Sequence, residues 1–228
     1  MMQTSRMSDQ GDGEAKRRQA EVDDRELLRA WREGDRRAGS ELFSRHFDAL
    51  YGFFRNKVHS GDAAEDLVQQ TMLACVRNRD GFRGDASFRT YLFTVARSRL
   101  IDLYRRRGRS DEPEGVSSLL DPGQSPSTWF RTGERKLQLL AALSQLSFDH
   151  QLALELHYVQ GFKGPELAEI LAIPEGTVRS RLRRARAALI EQLEELGEHG
   201  LAEATIETDL EGWAGEVEKR ANLPARED

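Results

Sequence analysis

With Cys75 as its only cysteine, the 228-residue chain cannot close an intrachain disulfide. The thiol falls on the apolar side of a helix pattern, so it is expected to be a small buried hydrophobe rather than a redox group. Aromatic residues make up 7% of the chain, too few to build large sheets. No stretch approaches the roughly 18 consecutive apolar residues of a membrane span, so membrane insertion is not expected. The polar start "MMQTSRMSDQGDGEAKRRQAEVDD" lacks the apolar core of a signal peptide, and its methionines at 1, 2 and 7 leave the start codon open. The predicted address is a reducing cytoplasm. The five histidines, at 46, 59, 150, 157 and 199, stand singly, and neither a metal site nor a cofactor is expected.

What is present is helix pattern and charge. Hydrophobic residues make up 38% and charged ones 32%, in a length that accommodates one large or two small domains. Residues 1–22 are polar and predicted disordered. Residues 23–107 read as a run of helices, "DRELLRAWREGD" and "RAGSELFSRHFDALYGFFRNKV" being divided at Gly34 and Asp35. "GDAAEDLVQQTMLACVRN" opens on Asp62 with Glu65 three residues on, a pattern close to a capping box. Ser87 is the predicted N-cap of "SFRTYLFTVARSRLIDLYRRR". Residues 108–128, rich in Gly, Ser, Pro and acid and without period, are a predicted flexible linker. Helical pattern resumes over 129–196. Residues 197–228 form an acidic extension in which Ile206, Leu210, Trp213 and Val217 repeat at amphipathic-helix spacing. The fold class predicted is all-α, two small helical domains on a linker.

The net charge of -5 conceals strong segregation. From Arg83 to Arg109 eight arginines face only Asp85 and Asp102, and from Glu175 to Ile190 five face one glutamate. In "GFKGPELAEILAIPEGTVRSRLRRARAALIEQL", Leu167, Ile170 and Leu171 make one apolar stripe, and Val178, Leu182, Ala185 and Leu189 a second. The pattern is that of a helix-turn-helix. Its second helix presents Thr177, Arg179, Ser180, Arg183 and Arg184 to the major groove, where arginine reads guanine bidentately. A solvated basic face paired with Glu191 is the bland alternative, but five arginines in eight residues exceed what local pairing satisfies. In "FRGDASFRTYLFTVARSRLIDLYRRR", arginines alternate with aromatics, which suits single-stranded nucleic acid. Phe88, Leu92, Val95, Ala96, Leu100 and Leu103 form the core stripe there, which leaves Phe82 and Tyr91 as the stacking candidates. Arg105 to Arg107 also suit the negative end of the helix dipole.

Together these residues resemble the sigma-70 family of bacterial RNA polymerase initiation factors, of the compact extracytoplasmic-function (ECF) type. The likeness runs from about Arg25 to Leu196, omitting the linker. "AEDLVQQTMLACVRNRDGFRGDASFRTYLFTVARSRLIDLYRRR" is similar to region 2 and "PELAEILAIPEGTVRSRLRRARAAL" to region 4. The resemblance implies that Asp66, Gln69 and Gln70 dock on the clamp helices of the polymerase β′ subunit, with the β flap a further contact. It implies that Phe82–Arg107 melts and captures the −10 element. The loop residues Phe82 and Arg83, before Ser87, would receive an unstacked base, with Ser87, Tyr91, Arg97, Ser98 and Arg105 along the strand. Arg179, Ser180, Arg183 and Arg184 match positions that read the −35 element, and Thr177 stands beside them. The implied function is promoter-specific initiation without catalysis, under an anti-sigma factor or the C-terminal extension. The acidic linker is implied to run through the polymerase towards its active site.

The sequence departs from the family pattern at several positions. Gln70 stands for the usual glutamate, Lys163 for a Ser or Thr cap, Ala172 for a turn glycine, and Ser147 and Gln151 for Pro and Arg. Two other readings compete. A stand-alone regulator would need a receiver domain, and residues 23–107 lack its alternating strands. A nuclease on Asp62, Glu65 and Asp66 would need a histidine, lysine or phosphate loop beside them. The extension is left open between a plain helical addition and a regulatory segment.

Overall fold

The computed structural model describes residues 23–55, 57–58, 60–79, 86–107, 134–196 and 203–221, without the side chains of 107, 134–137, 203–204 and 215–221. Every regular element among them is a helix, as the sequence predicts. α1 spans 23–32, followed by α2 (Arg36–Arg55), α3 (Gly61–Arg77) and α4 (Phe88–Arg107). Then come α5 (Glu134–Gln145), α6 (Phe148–Leu154), a π-helical turn (Glu155–Val159), α7 (Gly164–Leu171), α8 (Glu175–Glu195) and α9 (Glu203–Ala221). The N-terminal segment and the linker lie outside the described residues.

Local chemistry sets the helix ends. Gly34, at φ +105°, ends α1, and the Asp35 carboxylate starts α2 by accepting from the N–H groups of Arg37 (2.8 Å) and Ala38 (3.3 Å). α2 crosses α1 at Gly39, where a Cβ would come within 2.5 Å of the Trp31 indole. The cap of α3 is Ser60 rather than the predicted Asp62. Ser60 Oγ accepts from the Ala63 N–H at 3.2 Å, leaving Asp62 in the first turn to act on the dipole alone. Ser87 caps α4 as expected, accepting from Thr90 N–H at 3.1 Å.

α1–α4 enclose one core of Leu42, Leu50, Phe53, Phe54, Leu67, Val68, Cys75, Leu92 and Leu100, each worth about 1.5–3 kcal/mol for the larger side chains. Buried Asp24 and His46, 2.7 Å apart, tie α1 to α2. Cys75 is fully buried, and burial pushes its thiol up to about 12, so it behaves as a small hydrophobe. α5–α8 build a second core from Leu143, Leu152, Leu156, Phe162, Leu167, Ile170, Val178, Leu182, Ala185 and Leu189. Gln151, foreign to the family pattern, is buried and donates from Nε2 to the Leu146 carbonyl at 2.8 Å, fastening the α5–α6 turn.

The two groups are not apart. α4 packs on α7, and α9 lies against α2 on one side and the π-turn, α8 and α5 on the other. Ile206, Leu210 and Trp213 of α9 are buried, as their spacing predicts; the Val217 side chain lies outside the described residues.

Candidate nucleic-acid and polymerase interfaces

The α7–α8 unit has helix-turn-helix form. α7 starts with Pro165 in its first turn, where a missing N–H costs nothing, and Glu166 accepts from the Lys163 backbone N–H at 2.8 Å. Lys163 has no acceptor with which to complete a reciprocal cap. The turn closes through Ala172, which is left-handed at φ 54° and ψ 45°. An L-alanine there is strained by roughly 1 kcal/mol relative to glycine.

The five arginines of α8 divide by face. Arg179, Arg183 and Arg184 are exposed, with Thr177 and Ser180 half-buried beside them, so all five residues expected at the −35 DNA share one face. Arg179 reaches back to Glu175 at 3.4 Å, and Arg184 Nε donates to the Ser180 carbonyl at 3.3 Å. Both contacts are exposed, so nucleic acid can compete for them. Arg181 and Arg186 turn inward. Arg181 pairs with Asp149 at 3.1 Å, and Arg186 meets the Tyr158 hydroxyl at 3.2 Å and Glu207 at 3.5 Å. Their partners come from α6, the π-turn and α9, none of which local sequence pairing reveals.

A second site lies between α3 and α4, where a groove of about 580 Å³ is lined by Gln70, Leu73, Arg77, Tyr91, Ser98 and Arg99 among others. It brings Gln70, implied in core docking, beside Tyr91 and Ser98, implied in strand capture. Burial raises the Tyr91 phenol above its ordinary range, and the Asn78 amide donates to its oxygen at 3.4 Å. Asp66, Gln69 and Gln70 form an exposed polar edge on α3, flanked by Leu73 and Val76, each 47% exposed. Arg105 is exposed at the end of α4, and Ser87 is held in its cap. Phe82 and Arg83 lie outside the described residues.

Arg97 is not brought to this groove. With Arg89 and Phe93 it forms the stripe of α4 that faces α6–α8. Burial lowers its basicity, opposed by the nearby Asp149 and assisted by Arg181. Phe93 packs edge-on against Phe162 at 5.1 Å, and the Arg89 guanidinium lies 4.2 Å from the Phe162 ring while donating to the Gln160 carbonyl at 2.6 Å. Beside them buried Lys57 is ion-paired with buried Glu155. Sequence reasoning missed this seam. The available signal was α4 itself, which carries apolar residues outside its core stripe, as a helix covered on two sides does.

A basic recognition helix and a separate groove on an arginine-rich helix define a two-region DNA-binding protein. The family model described as Sigma-70 region 2 matches residues 42–110, and that described as Sigma-70, region 4 matches residues 136–189. The chain is 30% identical over 184 residues to the RNA polymerase sigma-H factor of Pseudomonas aeruginosa, covering 76% of this chain and 95% of that one. It is 31% identical over 169 residues to the RNA polymerase sigma factor CarQ of Myxococcus xanthus, covering 74% and 97%. The ECF RNA polymerase sigma factor SigL of Mycobacterium tuberculosis is 34% identical over 159 residues, covering 68% and 89%. Among solved structures, CnrH in complex with the cytosolic domain of CnrY is similar with a TM-score of 0.57 at 27% identity, covering 76% of this chain and 98% of that one. The chain belongs to the sigma-70 family and is an ECF-type sigma factor. Its function is promoter-specific initiation of transcription. No described helix is long and apolar enough to cross a membrane.

Proposed function

We propose that the chain acts as a dissociable, non-catalytic subunit of RNA polymerase in the cytoplasm, with one surface for each of three tasks, the docking edge and the −10 path meeting at the α3–α4 groove. Residues 23–107 and 129–196 are its working domains, joined by the linker at 108–128. The exposed edge of Asp66, Gln69 and Gln70 docks on the β′ clamp helices, with Leu73 and Val76 as its apolar border. Gln70 keeps the hydrogen-bonding shape of the family's glutamate without its charge, so docking there rests on packing and neutral hydrogen bonds. The α8 face reads the −35 duplex through Arg179, Arg183 and Arg184, with Thr177 and Ser180 on the backbone. The −10 strand runs from Phe82 and Arg83 past Ser87, Tyr91 and Ser98 towards Arg105, with arginines on phosphates and Tyr91 stacking on a base. Arg97 joins this path once α4 parts from α6–α8. Control by an anti-sigma factor belongs to the same reading.

The observation that carries it is the division of the α8 arginines, three exposed on one face and two paired inward. A helix that merely solvates its arginines has no need of such sorting. The test is binding of purified core polymerase by Gln69→Ala, Gln70→Ala and Leu73→Asp variants of the full chain. Weakened core binding with unchanged thermal stability supports the docking surface. Core binding as tight as that of the unaltered chain in all three contradicts it.

A further inference from the structure

α9 lies beyond residue 189, where the match to region 4 ends, and it touches both halves of the molecule. Its apolar stripe of Ile206, Leu210 and Trp213 is buried against α2 of region 2 and against the π-turn, α8 and α5 of region 4. On its flank Glu207 pairs with Arg186 of α8 at 3.5 Å, and Arg186 also holds the Tyr158 hydroxyl of the π-turn. One helix thus fastens two regions that the chain otherwise connects only through residues 108–133.

The direct seam between the regions is of a different kind. Apart from Phe93 against Phe162 and Tyr104 against Phe148, it buries charge: Lys57 with Glu155, Arg89 on Gln160, and Arg97 with its Nε out of solvent. Desolvating such groups consumes most of what their pairing returns, so the charged part of the seam adds little net fastening. α9 adds a second apolar contact, which reaches α2 on one side and the π-turn, α8 and α5 on the other.

The closed arrangement is incompatible with reading a whole promoter. Elements named −35 and −10 lie about 25 base pairs apart, or ~85 Å at 3.4 Å per pair. A compact protein of 228 residues has a radius of gyration of only ~17 Å. The 26 residues from 108 to 133 reach up to ~90 Å when extended, so the chain spans the promoter only after the regions part.

We infer that α9 is an intramolecular clamp: the surface formed by α2, the π-turn and α8 is its docking site, and its occupancy holds regions 2 and 4 together in a state unable to engage both promoter elements. Its release is coupled to polymerase binding, because core polymerase and α9 select different arrangements of the same two regions. The clamp itself stands on geometry; its effect on transcription rests on the initiation reading above.

The test uses full-length protein carrying dyes at Ser40→Cys on α2 and Ala187→Cys on α8, both exposed, with buried Cys75 left in place. Energy transfer between the dyes reports closure. In a Leu210→Asp/Trp213→Asp variant, transfer falls and affinity for core polymerase rises by at least about tenfold, within the roughly 5–150-fold span of typical couplings. Glu207→Arg produces a smaller change in the same direction, and the charge-swapped pair Glu207→Arg/Arg186→Glu restores closure, which a general folding defect would not do. Unchanged transfer in the Leu210/Trp213 variant overturns the clamp. Lower transfer without any gain in core affinity overturns its inhibitory role. Should the unaltered protein fail to bind core polymerase at all, the initiation reading falls, and the transfer measurement alone decides the clamp.

Discussion

Lys57, in the turn after α2, and Glu155, in the π-helical turn that continues α6, form an ion pair across the seam between the two regions, and each is less than 5% exposed. The ammonium also lies 3.7 Å from the centroid of the Phe53 ring. Burial draws the Lys57 amine below its ordinary range, and the adjacent Glu155 carboxylate pulls it back. Removing one partner strands the other in a desolvated site. Lys57→Met or Glu155→Leu alone is therefore expected to destabilise the closed protein by about 3–5 kcal/mol, and the double substitution to recover most of that loss. Urea unfolding of the three variants measures it.

Ala172 stores strain in the helix-turn-helix. It is exposed and left-handed, so Ala172→Gly relieves the backbone without opening a cavity. The expected gain is on the order of 0.5–1 kcal/mol, the unfolded-chain entropy of glycine offsetting part of the relief. A rise in thermal midpoint with unchanged DNA binding is the predicted outcome.

His150 sets a pH dependence. Burial and the guanidiniums of Arg181 and Arg184 hold its imidazole below the ordinary 6.5, with Asp149 pulling the other way. As pH falls through 6.5 the unfolded chain takes up a proton that the folded one refuses, so stability drops until the folded pKa is passed. His150→Gln removes that proton uptake. Its thermal midpoint is expected to fall less than that of the unaltered protein between about pH 7.5 and pH 5.5.

The two DNA surfaces respond differently to substitution. Arg183→Ala, on the exposed face of α8, is expected to cost about 1–3 kcal/mol at one base position and to relax selectivity there. Arg105→Ala, at the end of α4, is expected to weaken binding to all sequences alike and to lower the salt slope by about 1. Competition binding on permuted sites at several salt concentrations separates the two.

Much of this was legible in the sequence because it is periodic. The stripes Leu167/Ile170/Leu171 and Val178/Leu182/Ala185/Leu189 become core as their spacing predicts, and so does Cys75. The α8 face was legible because the residues left over from the core stripe must point elsewhere. The Ser60 cap was missed because Asp62 and Glu65 offer a competing local pattern, which the helix absorbs into its first turn. What periodicity does not encode is pairing at long range. Arg181 and Arg186 resembled their neighbours until Asp149, Tyr158 and Glu207 came beside them. Phe93, outside the core stripe of α4, marked a second covered side, but nothing local paired it or Arg89 with Lys57 and Glu155, which belong to segments far apart in the chain.

The most direct test of the account is run-off transcription by purified core polymerase with the full-length protein on a pool of random promoters. Transcripts that share one −35 and −10 pattern, lost on Arg183→Ala/Arg184→Ala, are the predicted result. Core polymerase that yields no specific transcripts, while the protein alone binds duplex DNA in a fixed sequence context, would contradict it.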